Sequence, residues 1–299
     1  MSEAEVQSVL KTLSFFDVVG MPITFSAVRR WQWGNEVPAK PELVAMLDWH
    51  ATLGQRADLR EEQSLRLISD ARAWLRVLCC WPGVQAMYLC NSVAFLSANE
   101  QSDVDVFVVT RPNQVWSTRF VLTALLALFG KRPKPGKEAG TICLSFFADA
   151  NALDFSAVTL PAPKDIYLSY WAATLSPVFD PSDTEIKILQ QNKALLPNER
   201  INTLRRIKEA HVEPIGILAF RLALMPFYGF VCLLQPLLKR WQKRRFPQAV
   251  TEAAKGDDHS VVISDTMLKF HTNDRREAYR LAWNKRYEVL QKSWNAKAA

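Results

Sequence analysis

The sequence predicts an α/β protein, with a small mixed sheet at its centre, a helical module before it and a helical region after it. Three observations lead there. Residues 87–110, MYLCNSVAFLSANEQSDVDVFVVT, read as strand, tight turn, short helix, loop and strand. A third apolar strand, TICLSFFA at 141–148, follows after a helix-length interval. Before and after these strands, apolar residues recur mostly at helical spacing.

Composition agrees with a folded chain. The 299 residues are 49% hydrophobic and 22% charged, enough for two or three domains and a sizeable core. The net charge of +7 points to an anionic partner: nucleotide, nucleic acid or a membrane surface. Five cysteines, Cys79, Cys80, Cys90, Cys143 and Cys232, lie in apolar contexts without zinc-ligand spacing. Buried free thiols in a reducing compartment are expected. The N-terminal MSEAEVQSVL has no apolar run, so no signal peptide and a cytoplasmic location are expected.

In chain order, residues 4–16 place Val6, Val9, Leu10 and Leu13 on one helical face, and Gly20 and Pro22 break the chain. Thr24 is placed to cap a second helix through Trp33. Pro41 opens a third, from Glu42 to Leu53. Three short helices in residues 1–60 read as a winged-helix-like module, with Arg29 and Arg30 as phosphate-contact candidates, or as plain helical packing. Leu59 to Cys80 is a long helix carrying Leu65, Ile68, Ala71, Leu75 and Leu78 at helical spacing, ended by Pro82-Gly83. After the central strands, a helix runs from about Asn113 to Phe129 and carries Arg119, with Gly130 closing it. The loop with Lys131, Arg132, Lys134 and Lys137 is either a guard for a phosphate or a solvated surface loop. Helices are expected over 165–175, 181–195 and 200–208. An apolar stretch at 214–238 is interrupted by Arg221, with Pro226, Gly229 and Pro236 as helix breakers. Its uncharged run from Leu222 to Leu234 is shorter than the roughly 18–20 residues a spanning helix needs. Lys239, Arg240, Lys243, Arg244 and Arg245 follow. Residues 214–245 therefore read as buried helices of a soluble protein or as a segment on an anionic membrane surface. A final helix from Asp274 to Ser293 places Tyr279, Leu281, Trp283, Tyr287 and Leu290 on its apolar positions. The core is expected at 61–180 and the helical C-terminal region at 181–299.

The chemistry concentrates in the central stretch. Asp103 and Asp105 are two residues apart on a strand and so share a face, with Val104, Val106 and Val108 on the other. Two adjacent carboxylates repel unless a cation sits between them. Mg²⁺ or Mn²⁺ is the expected ion. Upstream, Asn91 and Ser92 form the turn after the first strand, where free amides and the Ser92 hydroxyl favour phosphate.

Ser92 followed by Asp103-Val104-Asp105 in a hydrophobic strand resembles the nucleotidyltransferase superfamily typified by DNA polymerase β. The strand TICLSFFA and the downstream Asp165-Ile166-Tyr167 look like a little-characterised prokaryotic group within it, one with a winged-helix-like N-terminal region. The resemblance spans roughly residues 10–180 and, more loosely, 262–274. It implies a nucleotidyltransferase core that moves a nucleotidyl group from a nucleoside triphosphate to an unknown acceptor. It implies Asp103 and Asp105 as metal ligands and catalytic residues, and Asn91 and Ser92 as the nucleotide-phosphate site. Asn91 stands where the superfamily has Gly; Asn tolerates the left-handed backbone that such a turn uses. The third strand holds no acid: Ser145 is its interior polar residue, and Asp149 only follows its end. The alternative is therefore a catalytically weak or inactive protein that binds nucleotide or nucleic acid, in association with a membrane if 214–245 engages one. His50, His211, His259 and His271 are scattered and read as structural or surface residues.

Overall fold

The structure is a computed structural model describing every residue except Pro22, Ile23, 53–59, Pro135, Pro163, Asp257, Asp258, Thr272, Asn273 and Ala299. The expected break at Pro22, the helix ends at Leu53 and Leu59, and part of the basic loop fall outside the described residues. The helices are α1 (Glu3–Val19), α2 (Phe25–Trp31), α3 (Lys40–Thr52), α4 (Arg60–Cys79), α5 (Asn91–Ala94), α6 (Val115–Leu128), α7 (Ile166–Thr174), α8 (Thr184–Gln191), α9 (Pro214–Leu233), α10 (Gln235–Lys243), α11 (Gln248–Ala253) and α12 (Arg276–Ala298). The strands are β1 (Val84–Leu89), β2 (Val104–Thr110), β3 (Ile142–Asp149), β4 (Ser176–Phe179), β5 (Val261–Ile263) and β6 (Met267–Phe270).

The six strands form one mixed sheet in the order β4-β1-β2-β3-β6-β5. The three expected strands sit side by side at its centre: β1 is antiparallel to β2, and β2 is parallel to β3. Alternation along β2 sends Val104, Val106 and Val108 to one side, where they pack with residues of α4, α6 and α9. Phe107 and Val109 point to the other side, into a core shared with α1, α2, α3, α7 and α12. That core is aromatic: Phe107, Phe146, Phe155 and Trp171 meet with ring centroids 4.9–6.0 Å apart.

Local signals behave as their chemistry predicts. Ser2 and Glu5 form a reciprocal capping box on α1, and Gly20 closes that helix with φ +65°. Thr24 caps α2 through the Ala27 amide. Asp165 caps α7 through the Leu168 amide.

Several expectations need correction. Residues 181–299 are not simply helical, because β5 and β6 form a hairpin that joins the sheet beside β3. Strand β4 occupies the interval between the helices expected at 165–175 and 181–195, where the sequence predicts no strand. Residues 200–208 are not helical; their polar groups are used in long-range bonds, Arg205 to the Ala94 carbonyl (2.6 Å) and the Ile207 amide to Ser176 Oγ (3.1 Å). Pro226 lies inside α9 without ending it. On α12, Tyr279, Trp283, Tyr287 and Leu290 recur at i, i+4, i+8 and i+11 and face inward or sit half-buried, but Leu281 lies off that stripe and is exposed.

The apolar segment is also placed differently from the buried-helix reading. Only 22% of the apolar window of α9 is buried. By length and composition alone this helix is long and apolar enough to cross a membrane. Ile217, Arg221 and Val231, spaced for one helical face, are its buried residues. Arg221 anchors it: the guanidinium donates to the Cys79 carbonyl (2.9 and 2.7 Å) and the Val84 carbonyl (2.8 Å), and lies over the Phe179 ring.

Candidate metal and nucleotide site

The site begins where β1 ends. The Cys90 amide bonds the Asp105 carbonyl (3.1 Å), which holds the following turn against β2. Asn91 then adopts φ +54°, the left-handed conformation expected for this position. Its side chain does what glycine could not. Its Oδ1 accepts the Tyr167 hydroxyl (3.3 Å), and the amide also bonds the Asp105 carboxylate. The helix that it opens, α5, is a single turn, so the helix-end field offered to a phosphate is small.

Asp103 and Asp105 lie on the same side of β2, both half-buried. The third member of the cluster is Cys143: one oxygen from each aspartate and the Cys143 sulfur lie within 4.8 Å of one another. Register explains this. Asp105 pairs with Cys143 and Phe107 with Phe146, so β3 carries an extra residue between these pairs. The bulge lets Cys143, Ser145 and Phe146 all serve the Asp105 side, although strict alternation would turn Phe146 away. The Ser145 hydroxyl bonds Asp105 and lies 3.5 Å from His271 Nε2. Asp149, at the far end of β3, instead accepts the Asn113 and Asn151 amides and is structural.

The electrostatics are those of crowded carboxylates. Burial and the neighbouring Asp103 push the Asp105 carboxyl up to about 7, against hydrogen bonds from Asn91, Cys143 and Ser145. Burial also raises Asp103. Burial, then the two carboxylates, raises the Cys143 thiol well above its ordinary range, so it is a neutral donor to them.

Two cavities flank this cluster. One, of about 240 Å³, is lined by Asn91, Ser92, Asp105 and Tyr167, with Lys269, His271, Arg275 and Arg276 among the other lining residues. Tyr167 stacks on Tyr279 there (4.8 Å, 9° between planes). Burial and Arg276 lower the Lys269 ammonium to about 8, and burial and Lys269 lower His271 to about 4. Arg276 is held by Asp165 (2.8 Å), Asp274 (2.7 Å) and the Val158 carbonyl (2.7 Å). The other cavity, of about 600 Å³, includes Cys143 and Ser145 in its wall and is lined further by Arg119, Arg132 and Arg245, with no Asp or Glu among the described residues. Arg119 lies over the Phe246 and Phe270 rings. Burial, then the nearby Arg132, lowers its guanidinium to about 10.

Asn91, Ser92 and Asp105 thus line one cavity. Asp103 is outside its lining but within ligand distance of Asp105. Arg29 and Arg30 line neither cavity; Arg30 binds the Thr203 carbonyl (2.7 Å) and Arg29 lies over Phe25. Sequence reasoning missed Cys143, Lys269, Tyr279 and the cavity position of His271. The Asp-Ile-Tyr motif was the available signal for Tyr167. Cys143 reaches the site through the irregular register of β3, Lys269 and His271 through β6, and Tyr279 through the docking of α12, none of which a local pattern predicts. His50, read as structural, bonds buried Asp17 at 3.0 Å. No protein-family model, curated protein or solved structure matches this chain.

Proposed function

We propose that the protein is a metal-dependent nucleotidyltransferase with the core of the DNA polymerase β superfamily, working between the two cavities. The observation that carries this is the Asp103, Asp105 and Cys143 cluster, which contributes Asp105 to the wall of one cavity and Cys143 to the wall of the arginine-lined one. A transferase needs two anionic or polar substrates brought to one point, and these cavities offer that. The first would hold the triphosphate through Ser92, the amides near it, Lys269 and Arg275, with Tyr167 orienting Asn91. The second would hold the acceptor, whose class the arginines restrict to anionic compounds. The winged-helix-like reading of residues 1–60 belongs to this proposal as well.

The donor set suits a divalent cation. Two carboxylates are hard ligands, and the Cys143 sulfur, which a bound ion would deprotonate, would shift the preference from Mg²⁺ towards Mn²⁺ or Zn²⁺. Bound there, the ion would neutralise phosphate charge and lower the acceptor hydroxyl's pKa. In the transfer, the acceptor oxygen forms a bond to the α-phosphorus, and the bond from that phosphorus to the bridging oxygen breaks. Pyrophosphate leaves, and the hydroxyl proton passes to an oxygen of the aspartate pair. Asn91 and Ser145 keep Asp105 oriented throughout.

The test is a screen of the four nucleoside triphosphates with Mg²⁺, Mn²⁺ or Zn²⁺, reading pyrophosphate release and thermal shift. Turnover supports the transferase. A metal-dependent shift without turnover supports the second reading, a nucleotide-binding protein without catalysis, which Cys143 in the place of a third acid beside the aspartates favours. Neither response for any nucleotide and ion would sink both.

The thiol makes a separate prediction. Cys143→Asp should raise Mg²⁺ affinity at least several-fold and lower Zn²⁺ affinity, measured by isothermal titration. In chelator the variant should melt lower than wild type, since a third carboxylate joins the pair. Unchanged affinities for both ions would remove Cys143 from the ligand set.

A further inference from the structure

The largest feature that the proposed transfer leaves unused is the outer surface of α9 and α10. Along α9, Ile217, Arg221, Leu224, Tyr228 and Val231 form a single stripe that is buried or half-buried against the body. Around the rest of the helix the side chains are as apolar but exposed. Ile215 is 83% exposed, Leu222 73% and Leu233 81%, with Leu218, Phe220 and Phe230 also in solvent. A helix apolar all round is ordinarily buried on all sides. Here the protein covers one side only. The exposed surface continues onto α10 through Leu237 and Trp241.

Charge indicates what covers it. From Pro214 to Thr251 there is no Asp or Glu. Arg240, Lys243, Arg244 and Arg245 follow the apolar surface directly, are exposed, and pair with no carboxylate among the described residues. An apolar surface edged by unpaired cations is complementary to a bilayer with anionic headgroups: acyl chains meet the apolar side chains and phosphates meet the cations. Trp241, amphipathic and at the junction, is the residue type that settles at that interface. A soluble protein partner would have to be both strongly apolar and acidic to match it.

We infer that α9 and α10 form a membrane-binding face that seats this protein on an anionic bilayer, lying in the interface rather than crossing it. Crossing would require lipid all around α9, but Arg221 ties it to the Cys79 and Val84 carbonyls, and Trp81 packs on Phe227 and Tyr228. Held this way, the helix presents its outer face while its inner stripe remains on the protein.

The test uses the full chain and sedimentation with vesicles of phosphatidylcholine alone or mixed three to one with phosphatidylglycerol. The expected result is binding to the mixed vesicles at least about tenfold tighter than to the neutral ones, with the difference shrinking at high salt. Leu222→Glu with Phe230→Glu should reduce binding to both vesicles at least tenfold. Arg240→Glu with Lys243→Glu should remove the anionic preference and leave weak neutral binding. These side chains are exposed, so the circular dichroism of each variant should match wild type. If a variant misfolds, the wild-type comparison of the two vesicles still decides. Wild-type protein that binds neither vesicle overturns the inference. So does a wild-type dimer, stable without detergent, whose α9 amides are protected from exchange and which ignores both vesicles: the face would then belong to a second copy. None of these readings depends on transferase activity.

Discussion

Asp105→Asn should reduce metal-dependent nucleotide binding by more than about 100-fold, and any transfer by at least as much. Loss of a residue that merely orients a metal ligand costs about 10–100-fold, and Asp105 is placed as a ligand itself. Asp103→Asn should act in the same direction, since both oxygens lie within reach of one ion. Stability should move the other way. In chelator, Asp105→Asn should melt higher than wild type by a few degrees, at about 2–4 °C per kcal/mol for a large domain. The sign follows from Asp105, raised in the fold to about 7 against an ordinary value of about 3.9. Below about pH 4 the group is protonated in both states and the folded protein carries no penalty. Between about pH 4 and 7 the unfolded chain ionises first, so stability falls as pH rises, and stays lowered above about 7. The asparagine variant should lack this slope, and added metal should abolish it in wild type. Calorimetry across pH 4–8, with and without Mn²⁺, separates the cases. A variant that melts lower than wild type in chelator, while wild type gains nothing from metal, would mean that the aspartate is structural.

Arg276→Leu should have the largest effect on folding. Arg276 is 4% exposed, and its guanidinium holds Asp165, Asp274 and the Val158 carbonyl. Removing one partner of a buried ion pair costs about 3–5 kcal/mol, because the other charge is left uncompensated. A fall in melting temperature of about 10 °C is expected. Asp165 also caps α7 one residue from Ile166-Tyr167, so the loss should reach Asn91 through Tyr167 and raise the nucleotide KM more than it lowers kcat. Adding Asp165→Asn to Arg276→Leu should recover part of the stability, since that carboxylate is then neutral while Asp274 keeps Lys269 as its partner (3.5 Å). A single variant melting within about 2 °C of wild type would show that the network contributes little.

Much of the central sheet was legible because the signals there are local. Alternating valines placed β2, and the same alternation set Asp103 and Asp105 on one face. Asn91 could be assigned a left-handed turn because its residue type tolerates one, and the structure has φ +54° there. The cap at Thr24 follows from a side chain three residues from the amide it bonds. These features depend on spacings of a few residues, which a sequence states directly.

The rest depends on contacts between distant segments. Cys143 joins the aspartates because β3 bulges beside β2, and a bulge leaves no pattern in TICLSFFA. Lys269 and His271 reach the cavity because β6 pairs with β3 across more than a hundred residues. Residues 200–208 have helical composition, but the carbonyls and hydroxyls of other segments satisfy their polar groups instead. For α9, the sequence determined an apolar helix and a cationic sequel. Whether its outer side is covered depends on which side chains lie opposite, and hydrophobicity is the same property in a core and at a surface. Only the tertiary structure, with Arg221 holding one stripe inward, left the other side in solvent.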